Sequence, residues 1–366
     1  MKIAIVHDWL TNMGGAEQCI INLHKCFPEA PIYTAFYDPE NMDPIFKEMN
    51  IITSSLQKKK GKKYNHKKYL PFMPKAFEEF NLNEYDVVIT SSSCCAKGVI
   101  TGPHTLNICY CYTPMRYAWE MRDEYTEGMS NLKTKLIRYF MNYMRLWDYQ
   151  ASQRVDEFIA ISTEVKKRIK KHYRRDSKVI FPPVRTETFL PSKEEEDYYF
   201  VVSRLVKYKR YDLAVEACSK LHKKLIVIGD GPERENLEKL ADKEYVKFMG
   251  RQPDEVVKEH LSKCRALIFP GEEDFGIVPV EAECCGKPVI AFGRGGLLDT
   301  VIDKKTGLFF KEQTVDSLIE AIKEFETLKF NKEEIRAHGE KFSEENYRKQ
   351  IIDFVNEKYK EHMEEV

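Results

Sequence analysis

Short apolar runs alternate with helical spacing through nearly the whole chain. In the first half, runs at Ile3–Val6, Ile32–Phe36, Val87–Ser91, Leu106–Tyr112 and Phe158–Ile161 predict strands. In the second half the same holds for Tyr199–Ser203, Leu225–Ile228, Val246–Met249, Ala266–Phe269, Val289–Phe292 and Leu308–Phe310. Between them the period changes. Ala16, Cys19, Ile20, Leu23 and Phe27 fall at i, i+3, i+4, i+7 and i+11, one face of a helix. Regular alternation of β and α predicts an α/β fold with parallel sheets covered by helices on both faces.

The pattern breaks once, between Phe181 and Asp197. Pro182–Pro183 ends regular structure, and Lys193-Glu194-Glu195-Glu196-Asp197 is a solvated run before a new strand. We therefore expect domains at 1–184 and 185–342, each with a doubly wound parallel sheet, facing a central cleft that suits a ligand. Residues 343–366 read as a polar helix with Tyr347, Ile351 and Phe354 on one side, expected to pack back towards the N-terminal domain. A length of 366 residues fits two domains.

Composition narrows the function. Lys+Arg and Asp+Glu are both 58, so the chain is formally neutral, which argues against a globally basic nucleic-acid binder. Hydrophobic residues at 43 % argue against disorder. No apolar run is long enough to span a bilayer, and the apolar run of MKIAIVHDWL is too short for a secretory signal. The ten cysteines form no Cys-x-x-Cys, so zinc and dithiol redox sites lack their usual spacing. Free, buried thiols in a reducing cytoplasm are expected.

Three segments carry candidate chemistry. The first, Ala266–Phe292, reads strand, loop, helix, strand. Its loop holds Glu272, Glu273 and Asp274; its helix is expected to start near Phe275–Gly276 and to carry Glu281 in its second turn. A helix N-terminus offers unpaired N–H groups to a phosphate, and Gly276 allows close backbone approach. Carboxylates beside such a site make sense when aimed at neutral hydroxyls, so the pattern suggests a ligand with phosphate and polyol parts. A helix cap with a solvated acidic loop is the alternative. The second, Tyr199–Asp212, places Arg204 at a strand end and Lys209 five residues on, where open α/β sheets bind ligands. An ordinary surface loop with Lys207 and Arg210 is the alternative. The third, His7–Glu17, brings Gly14–Gly15 to the start of the first helix, for close approach to a ligand or as a plain tight turn. Neither it nor Gly229-Asp230-Gly231-Pro232, where Arg234 stands in place of a third glycine, completes the dinucleotide fingerprint. No Asp-x-Asp occurs, so no metal-clamped diphosphate is expected and no other cofactor is implied.

Glu273 and Glu281 flanking Phe275-Gly276, Ser203-Arg204-Leu205 with Lys209, Val227-Ile228-Gly229-Asp230-Gly231-Pro232 and the Gly14-Gly15-Ala16-Glu17 turn together resemble the retaining glycosyltransferases of family 4 (group 1). The resemblance runs from His7-Asp8 to about Phe310. Thr113-Pro114-Met115-Arg116-Tyr117-Ala118-Trp119 and Glu273–Glu281 resemble a bacterial branch that uses GDP-mannose in surface-polysaccharide or lipid-linked glycan assembly. It implies the glycosyltransferase B fold: two Rossmann-like domains, an N-terminal one for the acceptor and a C-terminal one for the nucleotide sugar. It also implies roles. Arg204 and Lys209 would hold the donor diphosphate with N–H groups at Phe275, Gly276 and Ile277. Glu281 would bind the ribose and Glu273 the transferred sugar. Gly14, Gly15 and Gly229 would lie near the donor, with the base at Met249–Arg251. His7, Asp8, Tyr112 and Arg116 are candidates for the acceptor side. Many relatives carry a His where this chain has Tyr112, and a small residue where it has Asp274. The donor is expected to be GDP-mannose or a UDP-sugar.

One basic stretch stands out in a neutral chain. Lys58, Lys59, Lys60, Lys62, Lys63, Lys67 and Lys68 precede Tyr69, Leu70, Phe72 and Met73. It suits an anionic membrane surface and hence a lipid-linked acceptor, which would place the protein on the inner face of the cell membrane. A solvated loop is the plain alternative, and single-stranded nucleic acid a lesser one. The rival functions are a nucleotide-sugar epimerase of the same fold and a non-catalytic membrane or nucleic-acid binding module.

Overall fold

The computed structural model describes residues 1–58, 66–120 and 130–365. They form two units: Met1–Phe181 with Tyr347–Val366, and Pro182–Asn346. Lys59, Lys60, Lys62 and Lys63 of the basic stretch lie outside the described residues, as does the side chain of Lys67. Lys58 and Lys68, at its two ends, are exposed.

The N-terminal unit is built on β1 (Ile3–His7), β2 (Ile32–Thr34), β3 (Ile51–Thr53), β4 (Val87–Ser92), β5 (Leu106–Cys111), β6 (Glu157–Ala160) and β7 (Lys178–Val179). All pair in parallel, in the order β3-β2-β1-β4-β5-β6-β7. In β1 every residue of Ile-Ala-Ile-Val-His is buried, and Ile5 sits between Ile32 and Ile89 in register. Such a strand has helices on both faces, and each fully buried Ile or Val stabilises by roughly 1.5–3 kcal/mol. The strands that the pattern did not predict are β3 and β7. Both are short edge strands whose residues are half-buried or exposed, so they lack a continuous apolar signature.

The C-terminal unit carries β8 (Tyr199–Val202), β9 (Leu225–Ile228), β10 (Val246–Gly250), β11 (Ala266–Phe269), β12 (Val289–Phe292) and β13 (Gly307–Phe310). Their order, β10-β9-β8-β11-β12-β13, repeats the same winding. Val201, Val227, Ile268, Ile290, Leu318 and Ile322 form part of its core. In each sheet the strand order reverses once, at β1/β4 and at β8/β11. The crevice beyond the carboxyl ends of such a strand pair is where open α/β sheets bind ligands.

Two features complete the N-terminal unit. The helix Glu344–Glu365 buries Tyr347, Ile351, Phe354 and Val355. The Tyr347 ring meets Tyr110 edge-on at 5.7 Å, and Arg348 Nη1 donates to Asn22 Oδ1 at 2.8 Å. The helix Asn131–Ser152 is anchored by Asp148, which is wholly buried. Lys97 Nζ lies 2.5 Å from Asp148 Oδ1, while Trp119 Nε1 and Tyr173 O–H donate to Oδ2. Breaking one partner of a buried pair costs about 3–5 kcal/mol, so this contact fixes which face of the helix turns inward.

Candidate functional site

The β8/β11 reversal brings two of the sequence segments together. Because these strands are hydrogen-bonded neighbours, the loops that leave their carboxyl ends run side by side. Beyond β8 come Ser203, Arg204 and a short turn, Lys207–Lys209, before the helix Tyr211–Leu221. Beyond β11 come Pro270, Gly271, Glu272 and Glu273. Lys209 Nζ donates to Ser203 Oγ at 2.7 Å and stands 3.2 Å from Glu273 Oε1. That oxygen is buried and accepts no hydrogen bond from the described residues. A Cβ on Gly271 would lie 3.0 Å from the Lys209 Cα, so glycine lets the second loop pass against the first. Arg204 is exposed at the strand end and makes no hydrogen bond or ion pair among the described residues.

A third loop locks against the first. Leu205 N–H donates to Asp230 O and Glu233 N–H to Leu205 O. At Gly229, φ is +137°, and a Cβ would fall 1.8 Å from the Ser203 carbonyl. The residue expected near the donor is therefore glycine for a protein contact: backbone fills the space a side chain would need. Gly295 and Gly296, which the sequence reading passed over, do the same for the acidic loop. Gly296 N–H donates to Glu273 O at 2.7 Å, and Cβ atoms there would lie within 2.5 Å of the Glu273 and Asp274 carbonyls. The signal was present, since Gly-Gly beyond a strand is what singled out Gly14–Gly15.

The acidic loop runs into the helix Ile277–Cys284, entered through Gly276 at φ +96° with no side-chain cap. Its first N–H groups therefore keep their capacity for an anion. Phe275 is buried against Phe342, 5.6 Å between centroids, so only its backbone can face a ligand. Glu281 lies in the second turn. Burial pushes its carboxyl up to about 7, with Asp254 adding to the rise and Arg185 and Lys258 opposing it. Met249 and exposed Arg251 close the carboxyl end of β10, where Gln252 Nε2 donates to Met249 O at 2.6 Å. Among the described residues, no group of three or more His, Cys, Asp or Glu side chains is placed to hold a metal ion.

The N-terminal candidates divide differently, and three of them have partners within their own unit. Asp8 accepts N–H bonds from Ser93 and Cys94 on Oδ2 and from Cys95 and Ala96 on Oδ1, all within 2.9 Å. It closes the β1/β4 reversal by capping the turn after β4, and both oxygens are spent on backbone. His7 is buried, its Nδ1 3.1 Å from Ser91 Oγ and its Nε2 3.8 Å from Glu17. Tyr112 O–H donates to Ala16 O at 3.0 Å and pairs with Ser91 Oγ at 2.7 Å. Burial pushes its phenol well above the ordinary value, so it bonds as a neutral group. These side chains tie the first helix to β4 and β5. Gly14 has an extended φ of −163°, which any residue adopts, and a Cβ there would meet Glu17 Oε2 at 3.1 Å. Gly15 opens the helix Gly15–Cys26, and Arg116 opens the turn Arg116–Trp119 after the Thr113-Pro114 loop.

Residues 184–347 match the model of a family described as glycosyl transferases group 1. An uncharacterized glycosyltransferase of Methanocaldococcus jannaschii is 30 % identical over 234 residues, 61 % of this chain and 63 % of its own length. A GDP-mannose-dependent alpha-(1-6)-phosphatidylinositol monomannoside mannosyltransferase of Mycolicibacterium smegmatis is 32 % identical over 138 residues, 33 % of this chain and 36 % of its own. The matches thus span less than two thirds of either relative. The solved structure of Anabaena Alr3699/HepE in complex with UDP-glucose superposes with a TM-score of 0.70 at 16 % identity, covering 98 % of this chain and 100 % of that one. Two Rossmann-like sheets of matching order, with the superposition over nearly the whole chain, give the glycosyltransferase B fold, and within it residues 184–347 are similar to the group 1 glycosyl transferases.

Proposed function

We propose that the protein transfers a sugar from a nucleotide-sugar donor to an acceptor hydroxyl, with retention at the anomeric carbon. The observation that carries the reading is the convergence at the β8/β11 reversal: Lys209 3.2 Å from Glu273, an exposed Arg204, and the uncapped start of the helix Ile277–Cys284. Cations and helix N–H groups there suit a diphosphate, and carboxylates suit sugar hydroxyls. In this assignment Arg204, Lys209 and the N–H groups at Phe275, Gly276 and Ile277 take the charge that develops on the leaving diphosphate. Glu273 binds the transferred sugar, Glu281 the ribose, and Met249–Arg251 the base. The C-terminal unit holds the donor and the N-terminal unit the acceptor, with Arg116 its remaining charged candidate.

For the donor we favour GDP-mannose, supported by the mannosyltransferase relative; the UDP-glucose complex of the structural neighbour makes a UDP-sugar the competitor. The acceptor we favour is a glycan or lipid-linked sugar in surface polysaccharide or glycoconjugate assembly. The lysine-rich stretch supports an anionic membrane surface as partner, at the inner face of the cell membrane. No helix of the described residues is long and apolar enough to cross a membrane.

Calorimetry with GDP-mannose and UDP-glucose tests the donor, followed by turnover with the one that binds. Arg204→Ala and Lys209→Ala are each expected to lower turnover by about 10²–10³. Full activity in both variants would refute the diphosphate assignment. Consumption of the donor without any acceptor, giving an epimeric sugar nucleotide, would replace transfer by epimerisation.

A further inference from the structure

The helix Asn131–Ser152 turns Met144, Trp147, Asp148, Ala151 and Ser152 into the core of the N-terminal unit. Its other face carries Leu132, Leu136, Tyr139, Tyr143 and Leu146, which are 54–80 % exposed. At about 100° per residue these five fall within an arc of about 80°, adjoining the buried residues on one side. Single exposed apolar residues are ordinary on a protein surface; a row of large ones in helical register marks a surface that meets something.

The charge of the helix identifies the partner. Exposed Lys133, Lys135 and Arg138 flank the row. The helix has one acidic residue, Asp148, and that is buried against Lys97 on the inner side. Among the described residues, the exposed face of this helix is therefore cationic and apolar and carries no carboxylate of its own. We propose that this face docks on an anionic lipid surface, its leucines and tyrosines in the headgroup–acyl boundary and its cations among the headgroups. Interfacial helices have this make-up, and tyrosine suits a boundary that is apolar on one side and wet on the other. A second copy of this chain fits less well. Pairing two such faces would bring lysine and arginine against the same residues with no acid between them. The inference rests on the membrane partner proposed above and deepens it, from a lysine-rich stretch to an apolar anchor on a different segment.

The experiment is co-sedimentation of the full chain with vesicles of phosphatidylcholine mixed with phosphatidylglycerol, against phosphatidylcholine alone. Three proteins are compared: the unaltered chain, a Leu136→Ser/Tyr139→Ser/Leu146→Ser variant, and a variant with Lys59, Lys60, Lys62 and Lys63 changed to Ser. The substituted helix residues are exposed, so the melting temperature and nucleotide binding of that variant stay unchanged and serve as controls. The unaltered chain should sediment with the anionic vesicles only, and the helix variant should bind them about tenfold more weakly or worse. Equal sedimentation of the helix variant, with loss in the lysine variant, overturns the helix assignment and leaves the membrane reading standing. No sedimentation of the unaltered chain overturns both, and leaves the donor assignment untouched, since calorimetry reads that separately. A concentration-dependent dimer that the helix variant abolishes, without vesicle binding, gives the face to a second copy and overturns the proposal.

Discussion

Glu281 shows how burying one carboxyl sets the stability of the fold against pH. Its carboxyl is raised by burial from the usual 4.5 to about 7. Between those values the folded chain keeps a proton that the unfolded chain has lost, so this group lowers stability as pH rises from about 4.5 to 7. Glu281→Gln removes the term. It should raise stability at pH 8 by roughly 1–3 kcal/mol and leave it unchanged near pH 4, read as Tm against pH. If the ionised form accepts the ribose hydroxyls, donor affinity in the parent protein should fall about tenfold between pH 8 and 6. The Gln variant should bind more weakly at pH 8, with a flat pH profile. A calorimetric series on the two proteins checks both halves, and a parent Kd independent of pH would remove Glu281 from the donor site. Lys209 and Glu273 form a different kind of pair. Their contact is an ion pair already made, and Glu273 Oε1 accepts no hydrogen bond among the described residues, so a phosphate binding there would have to draw the ammonium from that carboxylate.

The elements explain what could be read in advance and what could not. Strands buried on both faces write themselves as apolar runs, so Leu225–Ile228, Ala266–Phe269 and Val289–Phe292 match the pattern to the residue. β3 and β7, at the sheet edges, are set by pairing with β2 and β6 and leave no such trace. In the candidate site, Arg204, Lys209 and Glu273 were legible because charged and acidic residues at strand ends depart from the apolar pattern. The roles of Gly229, Gly295 and Gly296 were not, because what they accommodate is the backbone of another loop, remote in sequence. The surroundings of Asp8 were illegible for the same reason: the four N–H groups of residues 93–96 that its carboxylate accepts are remote in sequence. Asp8→Asn would turn an amide N–H₂ towards those donors and lose the charge that strengthens each bond. We expect a loss of roughly 2–4 kcal/mol, read as a fall in the N-terminal unit's Tm of roughly 5–15 °C. Nucleotide binding, which we assign to the C-terminal unit, should persist at temperatures where that unit stays folded.

At the scale of the whole chain, the N-terminal unit is discontinuous in sequence: Met1–Phe181 is completed by Tyr347–Val366. Ending the chain at Asn346 removes Tyr347, Ile351, Phe354 and Val355 from buried positions and uncovers the Tyr110 ring. Calorimetric scanning should then show the N-terminal transition lowered or lost, while the C-terminal unit melts as before and still gains stability from the nucleotide we assign to it. A single unchanged transition in the shortened chain would contradict the division. The same threading governs how the protein is made. A ribosome delivers the first sheet early, yet the helix that finishes its packing emerges only after the entire second unit. The second unit can therefore fold while the first still waits, incompletely covered, for that helix. Chaperones meeting the nascent chain should find their binding surface on β5 and the first helix rather than on the half made later.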